Sequence, residues 1–191
     1  MDNTVEIRWH GRGGQGAKTA ALLFGEAAMS LGKYIQAFPE YGPERMGAPV
    51  ASFNRISSQP INLHCSITNP SLVVVLDPTL MGKVDVTDGM PDGGAIIVNT
   101  TSKPAEIKKQ LGKEIKVYTV DASGISKETI GRDIPNTPML GALAKVSGIL
   151  DFDMMMKDME KKLSEKFKNK PEIVKGNLAA IKRAYSEVHA E

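Results

Sequence analysis

Two short apolar runs constrain the fold of this chain more than any other feature of the sequence. They read SLVVVLD (residues 71–77) and GGAIIVN (residues 93–99). Unbroken apolar residues are typical of strands that are buried on both faces of a parallel sheet, whereas a half-exposed strand alternates apolar and polar residues. Parallel strands need crossover connections, which are usually helices. The sequence therefore predicts an α/β, Rossmann-like fold with a mostly parallel sheet and helices on both faces.

Further strands and helices alternate along the first 132 residues. The predicted strands are Val5 to Trp9, Tyr34 to Phe38, Val50 to Arg55, Leu72 to Leu76, Ala95 to Val98 and Val117 to Val120. The predicted helices are Ala17 to Leu31, Ala105 to Leu111 and Ile125 to Ile130.

The pattern becomes wholly helical after Arg132. Three apolar stripes at helical spacing predict a helical C-terminal section from about residue 138 to residue 191. Thr137 is the predicted N-cap of its first helix, with Pro138 at the first helical position. At 191 residues, a single domain spanning residues 1–191 is the simplest expectation.

Composition excludes several classes of protein. A net charge of +2 and an aromatic content of 5% do not indicate a nucleic-acid surface. Cys65 is the only cysteine, so this chain cannot form an intramolecular disulfide or build a zinc or iron-sulfur site from several of its own thiolates. We expect a cytoplasmic protein with no membrane span, because no run approaches the roughly 18 apolar residues that a span needs.

A glycine-rich loop, Gly11-x-Gly13-x-x-Gly16, follows the first strand and precedes the first helix. Such a loop permits a tight turn and close approach of a ligand, and the helix N-terminus after it favours an anion. A dinucleotide site also needs an acidic residue at the end of the second strand, and here Gln36 and Phe38 occupy that end. Ala17 separates Gly16 from Lys18, so the loop is not a Walker motif. An independent Rossmann-type nucleotide-binding protein therefore remains only as a less favoured alternative.

Two other stretches are unusual. The long connection AFPEYGPERMGAP (residues 37–49) is rich in turn-forming residues, and its Glu40, Glu44 and Arg45 either pair with one another or face a partner. In IPNTPMLG (residues 134–141), helix capping accounts for Thr137 but leaves Asn136 unexplained. His10, beside the glycine loop, and His64, in a strand-like run, are interpreted as hydrogen-bonded scaffold residues.

Together, the motifs WHGRGGQG (residues 9–16), FPEYGPERMGAP (residues 38–49) and IPNTPMLG resemble the gamma subunits of pyruvate:ferredoxin oxidoreductases (pyruvate synthases), within the wider family of 2-oxoacid:ferredoxin oxidoreductases. The resemblance runs from about residue 5 to the C-terminus. One departure is Met46, which stands where the family pattern leads us to expect threonine.

The resemblance implies a subunit of an enzyme that converts pyruvate, coenzyme A and oxidised ferredoxin to acetyl-CoA, CO2 and reduced ferredoxin. It implies that thiamine diphosphate, Mg2+ and [4Fe-4S] clusters are held by alpha-, beta- and delta-type subunits, and that this chain is inactive alone and holds none of them. Gamma subunits of this type also serve 2-oxoglutarate, branched-chain 2-oxoacids and arylglyoxylates, so these substrates remain alternatives to pyruvate.

The resemblance also implies a binding site rather than a catalytic or metal site in this chain. It suggests that the chain helps form the coenzyme A side of the active-site cleft. The residues expected to bind coenzyme A are those of the glycine loop, with two further contacts from the third motif: Gly11, Arg12, Gly13, Gly14, Gln15 and Gly16, then Asn136 and Thr137. Arginine and a helix N-terminus are chemically suited to phosphate.

Overall fold

A mixed sheet organises the fold of the computed structural model, which describes residues 4–40 and 46–191. Within these residues the strands are β1 (Val5–Arg12), β2 (Tyr34–Pro39), β3 (Pro49–Ser57), β4 (Leu72–Val75), β5 (Ala95–Asn99), β6 (Lys116–Val120) and β7 (His189–Ala190). The helices are α1 (Ala17–Ser30), α2 (Pro104–Leu111), α3 (Ala122–Ile130), α4 (Asn136–Ser147), α5 (Phe152–Lys166) and α6 (Pro171–Glu187), and a 3-10 turn spans Pro78–Leu80.

The strand order across the described sheet is β2-β3-β1-β4-β5-β6-β7. β1, β4, β5 and β6 are parallel neighbours, whereas β3 is antiparallel to both β1 and β2, and β7 is antiparallel to β6. Because β1 and β2 both oppose β3, they run in the same direction as each other and as β4 to β6. The predicted mostly parallel α/β sheet is therefore confirmed, with β3 and β7 as its antiparallel members.

The two faces of the sheet are covered unequally. On the first, here called the helical face, Ile7 and Trp9 of β1 are buried in one large core with side chains from α1, α3, α4, α5 and α6. The opposite face, here called the α2 face, has a smaller core in which Val73 and Ile96 pack with Ile107 of α2. Helices do lie on both faces, as predicted, but most of them share one.

A buried polar chain fastens α1 to the sheet. The indole Nε1 of Trp9 donates to Oδ1 of Asn54 at 2.8 Å, and Nδ2 of Asn54 donates to the carbonyl of Ala21 at 2.8 Å. Trp9 and Asn54 are both fully buried. The Trp9 indole N–H and the Asn54 side-chain amide are therefore both hydrogen-bonded, and they fix the register of α1 without leaving either group unsatisfied in the core.

Several predicted boundaries need correction. β1 continues past Trp9 to Arg12, because it pairs with β3 as far as the Arg12–Pro49 partners. Thr137 is not an N-cap, since α4 begins at Asn136 after Pro135. His64 lies in an irregular exposed segment between β3 and β4 rather than in a strand.

Candidate functional site

The glycine loop places the N-terminus of α1 at the surface. Gly16 precedes the helix with φ 83°, a left-handed conformation that favours glycine, and α1 has no side-chain cap. The carbonyl of Gly16 accepts the first helical hydrogen bond, from Ala20. The N–H groups of Ala17, Lys18 and Thr19 have no acceptor among residues 4–40 and 46–191. Three free donors at the positive end of a 14-residue helix suit an anion.

A network around Asp77 holds the loop in this shape. The Oε1 atom of Gln15 accepts from the backbone N–H of Arg12 at 2.7 Å. Oδ2 of Asp77 accepts from Nε2 of Gln15 at 2.9 Å and from Nε of Arg12 at 2.9 Å. Asp77 is the second residue after β4 (Leu72–Val75), so it reaches the loop from the end of the neighbouring parallel strand.

Each terminal nitrogen of Arg12 also makes one hydrogen bond within the chain. Its Nη2 donates to the hydroxyl of Thr79 at 2.8 Å, and its Nη1 donates to the carbonyl of Gly47 at 3.0 Å. Burial opposes ionisation of Asp77, but hydrogen bonds from Thr79 and Gln15 and the charge of Arg12 outweigh it and lower the pKa of that carboxyl. Arg12 is therefore a fixed ion-paired brace of the loop, with its charge at the edge of the site.

The last residues of the connection between β2 and β3 return to the loop. Gly13 donates its N–H to the carbonyl of Ala48 at 2.9 Å and accepts from the N–H of Gly47 at 3.1 Å. This pairing brings Met46 beside Gly14, where a side chain at position 14 would contact the Met46 sulfur. Met46 itself is 90% exposed. The predictions for Glu44 and Arg45 concern a stretch, 41–45, that lies outside the described residues.

The loop and the N-terminus of α1 form one wall of a cavity of about 490 Å³. Four of the eight residues predicted to bind coenzyme A line it, namely Arg12, Gly13, Gly14 and Gly16. Lys18 and Thr19 line it as well, and Glu40 and Val50 lie among the residues of the other wall. The cavity is thus bounded by backbone donors and a lysine on one side and by the ends of β2 and β3 on the other.

The other four predicted residues support the loop from behind. Gly11 is buried against Leu76, and Gln15 belongs to the Asp77 network. Asn136 is buried beneath the loop, with its Nδ2 3.5 Å from the carbonyl of Gly16. The hydroxyl of Thr137 donates to Oδ1 of Asn177 in α6 at 3.1 Å. Asn136 and Thr137 therefore join α4 and α6 to the loop, and neither lines the cavity.

Sequence reasoning missed Asp77, Thr79 and Asn177. A local signal existed for the first two, because Asp77-Pro78-Thr79 places an N-cap residue and an N1 proline directly after a strand. Since the carboxyl ends of adjacent parallel strands meet at one edge of a sheet, the residue after β4 was a natural neighbour of the loop after β1. Asn177 is 40 residues from Thr137 and carries no local signal.

Residues 4–40 and 46–191 contain neither a candidate metal site nor a membrane-spanning helix. No group of three or more His, Cys, Asp or Glu side chains there is arranged to hold a metal ion. No helix among those residues is long and apolar enough to cross a membrane.

Comparison with known proteins decides the family. The profile of the family described as pyruvate ferredoxin/flavodoxin oxidoreductase matches residues 6–187. The chain belongs to this family. The resemblance based on the three sequence motifs is thereby confirmed.

The relatives match over nearly their whole length. The chain is 45% identical over 183 residues to pyruvate synthase subunit PorC of Thermotoga maritima, covering 96% of this chain and 94% of that one. It is 45% identical over 184 residues to the pyruvate/ketoisovalerate oxidoreductases common subunit gamma of Thermococcus litoralis, covering 96% of both chains. This chain is therefore a gamma-type subunit of a multi-subunit oxidoreductase of the family.

Solved structures agree with the fold. The crystal structure of the Thermotoga maritima PORC subunit has a TM-score of 0.87, with 42% identity and 98% coverage of both chains. A 2-oxoglutarate:ferredoxin oxidoreductase of Magnetococcus marinus has a TM-score of 0.76 at 22% identity, and the match covers 96% of this chain but 30% of that one. The same fold thus occurs as a separate subunit and as one part of a longer chain.

Proposed function

We propose that this chain is the gamma subunit of a cytoplasmic pyruvate:ferredoxin oxidoreductase, which converts pyruvate, coenzyme A and oxidised ferredoxin to acetyl-CoA, CO2 and reduced ferredoxin. Support comes from the full-length similarity to the Thermotoga maritima subunit, whose name specifies pyruvate synthase. The 2-oxoacid itself is selected elsewhere in the complex. The name of the Thermococcus litoralis relative, a subunit common to pyruvate and ketoisovalerate oxidoreductases, supports this division and keeps branched-chain 2-oxoacids as the main alternative substrate.

In this proposal the chain binds the phosphates of coenzyme A in the cavity beside the glycine loop. The observation that carries it is the N-terminus of α1, where three N–H groups without described acceptors and the Lys18 side chain border one cavity. A phosphate oxygen accepts hydrogen bonds from such N–H groups and is favoured by the helix dipole. Lys18 adds a mobile positive charge, because its side chain is exposed.

The loop residues then divide into two roles. Gly13, Gly14 and Gly16 line the cavity with backbone atoms alone, so a ligand can approach the loop closely. Gly16 also leaves room for the Asn136 amide behind the loop, which a side chain at position 16 would overlap. Arg12 and Gln15 act through Asp77, which holds the loop so that the helix N-terminus faces the cavity. Asn136 and Thr137, at the start of α4, support the loop from behind.

Thiamine diphosphate, Mg2+ and [4Fe-4S] clusters belong, in this proposal, to alpha-, beta- and delta-type subunits, through which ferredoxin also meets the complex. The single cysteine of this chain is in keeping with that division. The chain supplies part of the coenzyme A site and completes the cleft, but no reacting group.

Independent dinucleotide binding is the weaker alternative. β2 is separated from β1 by the antiparallel β3, so the loop is not followed by the adjacent parallel strand of a dinucleotide-binding unit. Gln36, at the position where an acidic residue would hold a ribose, is hydrogen-bonded instead to Arg55 and the carbonyl of Leu63. Tight binding of NAD or ATP by the isolated chain would favour this alternative over the proposal.

The proposed role of the α1 N-terminus is tested by Lys18→Ala in the assembled oxidoreductase. Losing one charged contact to a phosphate should raise the KM for coenzyme A about tenfold, which corresponds to about 1.4 kcal/mol. The KM for pyruvate should stay within about twofold, since pyruvate does not meet this loop. Lys109→Ala, an exposed lysine on α2 that does not line the cavity, is the matched control. Equal effects of the two substitutions on the KM for coenzyme A would refute the assignment.

A further inference from the structure

A second cavity lies on the α2 face of the sheet, next to the cavity beside the glycine loop, and the two share Pro39, Glu40, Val50 and Ala51 as lining residues. Arg8 and His10 form its floor, because Ile7 and Trp9 point to the helical face and alternate residues of a strand point to opposite faces. One wall contains Phe38, Phe53 and Ile67, and the other contains Val84 with neighbouring acidic residues. We call this cavity, of about 670 Å³, the Arg8 groove. It separates the core around Val73 and Ile96 from a smaller apolar cluster formed by Ala51, Phe53 and Ile67.

The floor of the Arg8 groove contains polar atoms that are buried and unpaired. Arg8 is 7% exposed, and its Nη2 donates to the carbonyls of Val86 at 3.1 Å and Asp88 at 2.7 Å. Its Nε has no partner among residues 4–40 and 46–191, and neither does Nε2 of His10. Both atoms are shielded from solvent, so an occupant of the groove pairs with them only when the Arg8 or His10 side chain shifts toward it. A buried donor left unpaired is costly, and such a pairing would remove that cost.

The charges around the groove do not favour a free anion. Three carboxylates, those of Glu40, Asp85 and Asp88, line the groove against the guanidinium of Arg8, and Asp85 is also ion-paired with Lys113 at 3.6 Å. Burial, followed by the charge of Arg8, lowers the pKa of His10 to about 4, so its imidazole is neutral at pH 7. A neutral acceptor such as a peptide carbonyl suits Arg8 better than another carboxylate does, and a basic residue suits the acidic rim.

We propose that the Arg8 groove is the docking site for a segment of another subunit of the oxidoreductase complex. The segment places an apolar side chain between Phe53 and Val84, offers a main-chain carbonyl to the guanidinium of Arg8, and carries a Lys or Arg that faces Asp88. Membership of a multi-subunit enzyme supplies the partner, and the combination of apolar walls, a buried donor and an acidic rim supplies its chemistry. The residues that carry the proposal, Arg8, Asp85 and Asp88, do not line the cavity beside the glycine loop, so the proposal can be tested separately from the coenzyme A site.

A photo-crosslinking amino acid at position 66 identifies the occupant directly. Ser66 is exposed and lines the groove, so p-benzoylphenylalanine in its place reaches whatever lies inside. In the irradiated complex, assembled with its partner subunits, we expect an adduct to another subunit, mapped by mass spectrometry to a segment with an apolar and a basic residue. Adducts confined to this chain, including residues 41–45, adducts to a second copy, or no adduct would overturn the proposal.

A charge reversal tests the acidic rim separately. Asp88→Lys should weaken association with the partner subunits at least about fivefold at 0.1 M salt, because it places a positive charge opposite the partner's basic residue. Asp92→Lys is the matched control, since Asp92 is also an exposed acid in the same region but does not line the groove. Equal weakening by both variants would overturn the proposal. The KM for coenzyme A in complexes that do form should not change, which distinguishes this test from that of the glycine loop.

Discussion

The contact between Gly16 and Asn136 makes a quantitative prediction about the glycine loop. Replacing Gly16 with alanine forces a side chain into a backbone with φ 83°, at a cost of about 1–2 kcal/mol. The new methyl group would also overlap the side-chain amide of Asn136, which is buried under the loop. Displacing that amide adds about 1–3 kcal/mol of overpacking. We therefore expect Gly16→Ala to lower the free energy of unfolding by about 3 kcal/mol in total.

Urea unfolding of the isolated chain measures this loss through the fluorescence of Trp9, the only tryptophan, which is fully buried beside α1. Gly32→Ala is the matched control, because Gly32 has φ 79° but no atom within 4 Å of the added carbon. It should cost only the backbone strain of about 1–2 kcal/mol. In an Asn136→Ala background, Gly16→Ala should fall to the same value. If Gly16→Ala costs no more than Gly32→Ala, or shows no coupling to Asn136→Ala, the reasoning is refuted.

Three further predictions concern other contacts. Asn54→Leu should destabilise the chain by about 1–3 kcal/mol in urea unfolding, because it leaves the Trp9 indole N–H buried without a partner and removes the second hydrogen bond to the Ala21 carbonyl. Unfolded His10 gains its proton near pH 6.5 and folded His10 only near pH 4, so stability should fall by up to about 3 kcal/mol as the pH is lowered through this range. His10→Gln should remove this part of the pH dependence, as measured by urea unfolding at pH 7 and pH 4.5. Asp77→Asn should raise the KM for coenzyme A in the assembled enzyme about fivefold, because Arg12 loses its ion pair and the loop loses its brace.

Each of these predictions has an outcome that would contradict it. A loss below about 1 kcal/mol for Asn54→Leu would mean that the buried polar chain does not fasten α1 to the sheet. An unchanged pH profile in His10→Gln would mean that His10 is not held neutral by its surroundings. A kcat effect without a KM effect in Asp77→Asn would mean that Asp77 acts on something other than the coenzyme A side of the cleft.

Features with a local sequence signal were predicted well. The apolar runs of β4 and β5 are buried on both faces as expected, since their character follows from their own residues. Periodic apolar stripes likewise gave the C-terminal helices, with Met155 and Met159 in the core. The glycine loop and its following helix were located because strand, glycine spacing and helix are contiguous in the chain.

Features that depend on distant partners were not predicted. β1 extends to Arg12 because β3 pairs with it, and that pairing has no signal within the motif. Thr137 looked like a helix cap, but its hydroxyl is used by Asn177 from α6. Arg12 stays a predicted contact of coenzyme A, but its ion pair with Asp77 and its hydrogen bonds to Thr79 and Gly47 were not foreseen. Each of these features depends on a contact with a residue that is remote in the sequence.

Hydrogen–deuterium exchange of the assembled oxidoreductase tests the central claim most directly. Coenzyme A should slow exchange of the N–H groups of Ala17, Lys18 and Thr19, because the claim gives them phosphate oxygens as acceptors where the chain gives none among its described residues. Pantetheine, which lacks the phosphates, should leave this peptide unprotected. Protection by coenzyme A elsewhere in the complex, with exchange at residues 17–19 unchanged, would contradict the claim.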